Sequence, residues 1–337
     1  MKVLVKDKIN TALNRLAENS QVYVPVHREG GSRFAPWPTV PGDELALDSL
    51  NTMFSPKEVV LPQTEKMYTF AARGQSVEIK ETGEERKERV VFGVRACDSK
   101  AIAALDEVFL TRGYEDGFYK ARREPLIIIG KACTQPGPNC FCSAMGVDPL
   151  EPDPVDVIIY DLGDAYGWEP RSERGQKLTQ SLGDILADRD FQKPSAGEFQ
   201  LQVDINGLPE KLAGMFEHPL WEELAEPCMN CGICTYLCPS CYCFDIQVKN
   251  RGTEGYRFRC WDSCMYPEYT MMAGGHNPRG SKHERFRNRF LHKLEFFQER
   301  YGTSLCTGCG RCIVACPQGI NIVSIIKRLQ EVELDVR

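Results

Sequence analysis

The stretch CMNCGICTYLCPSCYCF, Cys228–Phe244, decides how the second half of the chain reads. Its first part is Cys228-x-x-Cys231-x-x-Cys234-x-x-x-Cys238-Pro239, and the same spacing returns in CTGCGRCIVACP as Cys306, Cys309, Cys312, Cys316 and Pro317. Three thiolates so close in sequence wrap one face of a cubane [4Fe-4S] cluster. The fourth, three residues further on and followed by proline, points away and ligates a second cluster. The spacing therefore predicts one cluster on Cys228, Cys231, Cys234 and Cys316, and a second on Cys238, Cys306, Cys309 and Cys312. Gly232, Gly308 and Gly310 are expected to let the backbone pass close to the inorganic core. A pair of zinc sites is the bland alternative, but zinc prefers two separated C-x-x-C pairs.

Small ferredoxins keep the two runs close, whereas residues 240–305 separate them here. The interval contains HERFRNRFLHKLEFFQERYG, with Phe286, Phe290, Leu294 and Phe297 at helical spacing, and LPEKLAGMFEHPLWEELAEPC upstream also reads helical. An α-helical dicluster ferredoxin domain is expected over 210–337. The interval is basic, with Arg279, Lys282, Arg285, Arg287, Arg289, Lys293 and Arg300 against Glu284, Glu295 and Glu299. A solvated helix face is the preferred reading. A docking surface for an acidic partner, or positive charge that raises cluster potential, is the sharper one.

Residues 1–209 read differently. RVVFGVRAC and PLIIIGKAC are unbroken apolar runs, and DSKAIAALDEVFL between them reads as a helix with Asp98 or Ser99 as its N-cap. Such runs suit a largely parallel sheet covered on both faces. A strand–helix–strand unit brings both C-terminal strand ends to one edge, where open α/β sheets hold ligands. Cys97 and Cys133 each lie just past such an end, and TQPGPNCFCSAMG adds Cys140 and Cys142 on a Pro/Gly loop. A third [4Fe-4S] cluster on these four is expected; buried thiols or a zinc site are the alternatives. Cys241, Cys243, Cys260 and Cys264 could form a fourth site, but packing beside the second cluster is preferred.

Sixteen cysteines in 337 residues, without a recognisable secretory signal, point to reduced thiols in the cytoplasm rather than a disulfide framework. MKVLVKDKINTALNRLAENS reads as an amphipathic helix with Leu13, Leu16 and Ala17 on one side, and no apolar run is long enough to span a membrane. A net charge of −6 argues against a nucleic-acid partner. No G-x-G-x-x-G follows a strand, there is no Walker A loop, and no catalytic constellation appears, so no catalytic residue is assigned. His276 and His283 read as surface or structural histidines. Clusters move single electrons and nicotinamides move hydride, so a nicotinamide link requires a flavin on another polypeptide.

Several stretches together resemble the iron–sulfur β subunits of cytosolic (sulf)hydrogenases, the corresponding iron–sulfur subunits of anaerobic sulfite reductases, and those of flavin oxidoreductase–heterodisulfide reductase complexes. They are SPKEVVLPQTEKMYTF, VFGVRACDSKAIAALDEVFL, CTQPGPNCFCSAMG, HPLWEELAEPCMNCGICTYLCPSCYCFDI, WDSCMYPEYTMMAGGHNPR and CTGCGRCIVACP. The resemblance implies an electron-transfer subunit between a ferredoxin-reductase-like flavoprotein, which carries FAD and handles NAD(P)H, and a terminal redox subunit. It supports the cluster on Cys97, Cys133, Cys140 and Cys142, and gives Cys241, Cys243 and Cys264 a role, while Cys260 matches no position of the pattern. Arg311, Arg279 and His276 are candidates for tuning cluster potential. A catalytic iron–sulfur oxidoreductase with its site near Cys241, Cys243 and Cys264, and an iron–sulfur redox sensor, are the rival functions.

Overall fold

Arg89–Val94 and Leu126–Lys131, the two unbroken apolar runs, form neighbouring parallel strands buried at every residue. The structure, a computed structural model, describes residues 1–83 and 87–333. In chain order the strands are β1 (Lys2–Val5), β2 (Gln21–Arg28), β3 (Gly31–Pro36), β4 (Glu44–Leu45), β5 (Thr64–Arg73), β6 (Ser76–Glu81), β7 (Arg89–Val94), β8 (Leu126–Lys131), β9 (Val157–Asp161), β10 (Ala165–Pro170), β11 (Ala187–Asp188), β12 (Phe244–Arg251) and β13 (Glu254–Trp261). Two units emerge. One comprises Met1–Lys57, Arg86–Gln202 and Thr307–Gly310; the other comprises Glu58–Glu85, Val203–Cys306 and Arg311–Arg337.

The first unit is an α/β domain. Its sheet runs β11-β1-β10-β9-β8-β7-β2-β3, with β4 also on β2. The β2–β7, β7–β8 and β8–β9 pairs are parallel, and the flanking pairs are antiparallel. The short link from β9 to β10 permits only an antiparallel return. Helix α1 (Ile9–Ala17) buries Ala12, Leu13 and Leu16 against a core that includes Val22, Val24, Val90 and Phe92. Its expected amphipathic face is present and a 3-10 turn, Lys6–Lys8, leads into it, but Lys2–Val5 before that is a strand. Lys2–Val5 pairs with β10, Val3 opposite Gly167, because the apolar Val3 and Leu4 complete the sheet.

Helix α2 (Ala96–Leu110) starts earlier than the sequence suggested. Neither Asp98 nor Ser99 caps it; Arg95 is extended, and its carbonyl accepts the amides of Asp98 and Ser99. Cys97 therefore sits in the first helical turn, at the carboxyl end of β7. Helices α3 (Gly117–Arg123) and α4 (Glu173–Leu182) follow, the latter capped by Ser172, which accepts from the Gly175 amide.

The second unit carries the helices of the ferredoxin region. They are α5 (Leu208–Ala213), α6 (Leu220–Ala225), α7 (Ile233–Tyr236), α8 (Lys282–Leu291), α9 (Phe297–Tyr301), α10 (Arg311–Val314) and α11 (Ile322–Glu331). A capping box of Ser281 and Glu284 opens α8, and a π-helical turn, His292–Phe296, joins it to α9. Phe286, Phe290, Leu294 and Phe297 are all buried, as their spacing requires. The unit also holds a sheet in the order β12-β13-β5-β6. The hairpin β12–β13 lies between the cysteine runs, where only helix was read. Its alternation of Ile246 and Val248, then Tyr256 and Phe258, around the turn at Gly252 is an ordinary hairpin signal. A buried Arg259–Glu65 ion pair, 2.6 Å, ties β13 to β5. Among the described residues no helix is long and apolar enough to cross a membrane.

Candidate metal centres

None of the sixteen cysteines is in a disulfide. Among the described residues, no three His, Cys, Asp or Glu side chains close in tightly enough to hold a single ion. The thiols instead line wider spaces.

Cys228, Cys231, Cys234 and Cys316 line one cavity in the second unit, together with Cys312 and Arg289. The loop reaches it through two left-handed residues, Asn230 and Gly232. A Cβ on Gly232 would stand 2.6 Å from the Tyr266 hydroxyl, which donates to the Cys231 carbonyl at 3.1 Å. Burial pushes the Cys228 thiol up from its ordinary value.

Cys97, Cys133, Cys140 and Cys142 line a second cavity in the first unit, together with Cys309. Topology brings them there as strand ends and loop. Arg95 fixes the neighbouring backbone by donating to the carbonyls of Leu47, Ser49 and Ala132. The Thr307–Gly310 turn of the second cysteine run closes one side. Phe141 donates its amide to the Gly308 carbonyl at 2.9 Å, and Asn51 Nδ2 donates to the Cys309 carbonyl at 3.0 Å. Gly308 has φ +63°, and a Cβ there would lie 2.5 Å from Cys142 Cα. Cys309 thus packs against Cys97 and Cys142. Burial, then the neighbouring thiols, pushes the Cys142 pKa up to about 12, so a bound cationic iron core is what would make this set ionise together.

Cys238, Cys306 and Cys312 belong to the second unit, and Cys309 to the first. Lys293 Nζ donates to Cys238 Sγ at 3.1 Å, and Ser240 Oγ lies 3.3 Å from the same sulfur. The spacing pattern alone gave no hint of either partner.

The basic interval is not a solvated face. Arg285, Arg287, Arg289 and Lys293 are buried. Arg285 donates to the carbonyls of Met265, Arg279 and Gly280. Arg287 donates to the Phe216 carbonyl and to Glu217 and lies over the Phe216 ring. Arg289 Nε has no hydrogen-bond partner. Burial works against the Lys293 ammonium, yet Cys238, Cys241 and Cys306 around it hold its pKa well above the usual lysine value. Of the other tuning candidates, Arg311 is buried rather than on the surface, His276 is exposed and Arg279 is half-buried. His283 is half-buried as well.

Three of the remaining cysteines gather and one does not. Cys243 is hydrogen-bonded to Cys264 and Tyr269, and the Cys264 bond is the main cause that lowers its pKa to about 6. Cys264 is raised correspondingly, and Cys241 is raised by its bond to Cys238 and by burial. Cys260 stands on β13 opposite Asp245, apart from that group.

A thiolate-bound cubane fits these surroundings on two grounds. Five cysteines line each cavity, and buried cations without carboxylate partners stand beside the thiols of the second unit.

Residues 227–320 match the 4Fe-4S dicluster domain family. The chain is 33% identical over 328 residues to sulfhydrogenase 2 subunit beta of Pyrococcus furiosus, covering 94% of this chain and 95% of that protein. It is 24% identical over 196 residues to F420-dependent formate dehydrogenase subunit beta of Methanocaldococcus jannaschii, covering 53% of this chain and 43% of that protein. No solved structure matches the chain significantly.

Proposed function

The chain belongs to the family of sulfhydrogenase β subunits, iron–sulfur subunits that transfer electrons, and on that premise we propose its place in a larger complex. Electrons pass through it between an NAD(P)H-linked, ferredoxin-reductase-like flavoprotein that carries the FAD, and a terminal redox subunit of hydrogenase, sulfite reductase or heterodisulfide reductase type. The chain itself is non-catalytic and works in the cytoplasm.

Residues 210–337 carry two [4Fe-4S] clusters in this reading, on Cys228, Cys231, Cys234 and Cys316, and on Cys238, Cys306, Cys309 and Cys312. Residues 1–209 carry a third, on Cys97, Cys133, Cys140 and Cys142. Cys241, Cys243 and Cys264 pack beside the second cluster. Each cluster supplies a one-electron relay when bound. The protein contributes the thiolates, the buried cations and a wall that excludes water. Arg95 and the Gly308 turn hold the third thiol set in place from the backbone side.

The observation that carries the proposal is the gathering of five cysteines, four of them an expected ligand set, at each of two cavities. Iron and acid-labile sulfide per chain, measured on protein purified without oxygen, test it. About twelve of each supports three clusters. About eight removes the third cluster and the route through the first domain. Co-purification of a flavoprotein from the native host under the same conditions tests the partner; a chain that stays alone there overturns that part.

A further inference from the structure

We propose that Lys293 and Arg289 are fixed counter-charges of the two ferredoxin-type clusters. Lys293 serves the cluster held by Cys238, Arg289 the one held by Cys228, Cys231, Cys234 and Cys316, and each makes its cluster easier to reduce. The inference rests on the reading above that both clusters are present.

Lys293 is 3% exposed and Arg289 6% exposed. Among the described residues no carboxylate lies within ion-pairing distance of either. Buried charges are ordinarily paired with an opposite charge. Here the neighbours are sulfur. Lys293 Nζ donates to Cys238 Sγ at 3.1 Å, and Arg289 lines the cavity of the first thiol set. The Arg289 guanidinium lies 4.7 Å from the Phe290 ring centroid, and its buried Nε has no hydrogen-bond partner. The two residues are four apart, so the helix presents both on one side.

A cubane held by four thiolates is net anionic, and reduction adds one more negative charge. A cation fixed beside it in a poorly polarisable interior stabilises the reduced form more than the oxidised form. An N–H donor to a ligand sulfur acts in the same direction. The ligand thiolates of the bound clusters thus supply the counter-charge that burial of the two cations demands.

The test is a reductive titration of the full-length, iron-loaded chain, followed by electron paramagnetic resonance so that clusters are resolved. Lys293→Met is expected to lower the reduction equilibrium constant of one ferredoxin-type cluster about tenfold or more, which is 59 mV for a one-electron couple, and to leave the other within about twofold. Lys293→Arg, which keeps the charge, is expected to restore most of it. Arg289→Met should act on the other ferredoxin-type cluster, with Arg289→Lys as its rescue. Unmoved potentials in the Met variants overturn the inference, as does an Arg or Lys rescue that shifts as far as Met. If Lys293→Met holds less iron, full iron in Lys293→Arg supports the charge role and equal loss in both overturns it. A native chain without iron at these thiols overturns the cluster reading as well; a loaded chain with unmoved potentials overturns only the counter-charges.

Discussion

Replacing Gly308 with alanine puts the close approach of the second cysteine run to the Cys142 loop under direct strain. The residue has φ +63°, and an added Cβ would lie 2.5 Å from Cys142 Cα, with Cys142 N and Phe141 C at 2.6 Å. All three are backbone atoms, so no side chain can swing aside. Ordinary carbon contacts are about 3.5–4.0 Å, so the turn must retreat by roughly 1 Å. Left-handed backbone costs a non-glycine residue about 1–2 kcal/mol, and a forced overlap of this kind about 1–3 kcal/mol more. The sum is about 2–5 kcal/mol, and the Phe141 amide bond to the Gly308 carbonyl is lost with it. Gly302 is the control: its φ is +74°, but nothing lies within 4 Å of an added Cβ, so Gly302→Ala costs only the backbone part, about 1–2 kcal/mol. Chemical denaturation of the reduced, metal-free chain reads the stability, and iron per chain reads the site. Gly308→Ala should also lose about four iron, one cluster's worth, while Gly302→Ala keeps its iron. Equal destabilisation and equal iron in the two variants would refute the reasoning.

Cys97→Ser and Cys316→Ser should each lower iron by about four per chain, and the double variant by about eight; a double variant no worse than either single would mean the two thiol sets do not load independently. Glu65→Gln leaves Arg259 buried without its carboxylate and should cost about 3–5 kcal/mol in denaturation, most of it recovered in Glu65→Leu/Arg259→Met; equal loss in both would show that the ion pair is not the source. Burial, followed by Lys293 and Arg279, lowers the His292 pKa to about 4. Between pH 6.5 and that value the unfolded chain takes up a proton that the folded chain refuses, so stability falls as pH falls through the window. From pH 7 to pH 5 the loss for the metal-free chain is about 2 kcal/mol. His292→Phe should remove that part of the pH dependence, and an unchanged slope would assign it elsewhere.

Much of this architecture is written locally. The cysteine runs are legible because their repeated spacing suits cubane clusters better than zinc, and the buried parallel strands because they carry no polar alternation. Cys97 and Cys133 could be brought to one edge by topology alone, since each follows such a strand. The rest depends on partners far away in sequence. Arg285, Arg287, Arg289 and Lys293 look like any charged helix face until Met265, Phe216 and the thiols are packed over them. Val3 and Leu4 read as the start of a helix because their strand partner, β10, lies over 160 residues away. The caps expected at Asp98 or Ser99 failed because Arg95, leaving its strand extended, already offered a carbonyl. That Cys309 sits with the first unit has no local signal at all: glycines at 308 and 310 are normal in a cluster-binding run, and only their closeness to Cys142 and Asn139 shows the second reason for them.

The Thr307–Gly310 turn also sets a timetable. A ribosome delivers residues in order, and domains tend to fold as they emerge. The first unit has nearly all its residues by Gln202, yet one wall of its thiol cavity is made only after Cys306. Residues 58–83 face the reverse situation, since they are made early and belong with partners that start at Val203. The nascent chain must therefore hold its four early cysteines in an open cavity until Thr307–Gly310 has been made. The cavity closes only once that segment is present, and a message truncated before codon 307 would yield a chain with all four of those thiols but no closed site around them.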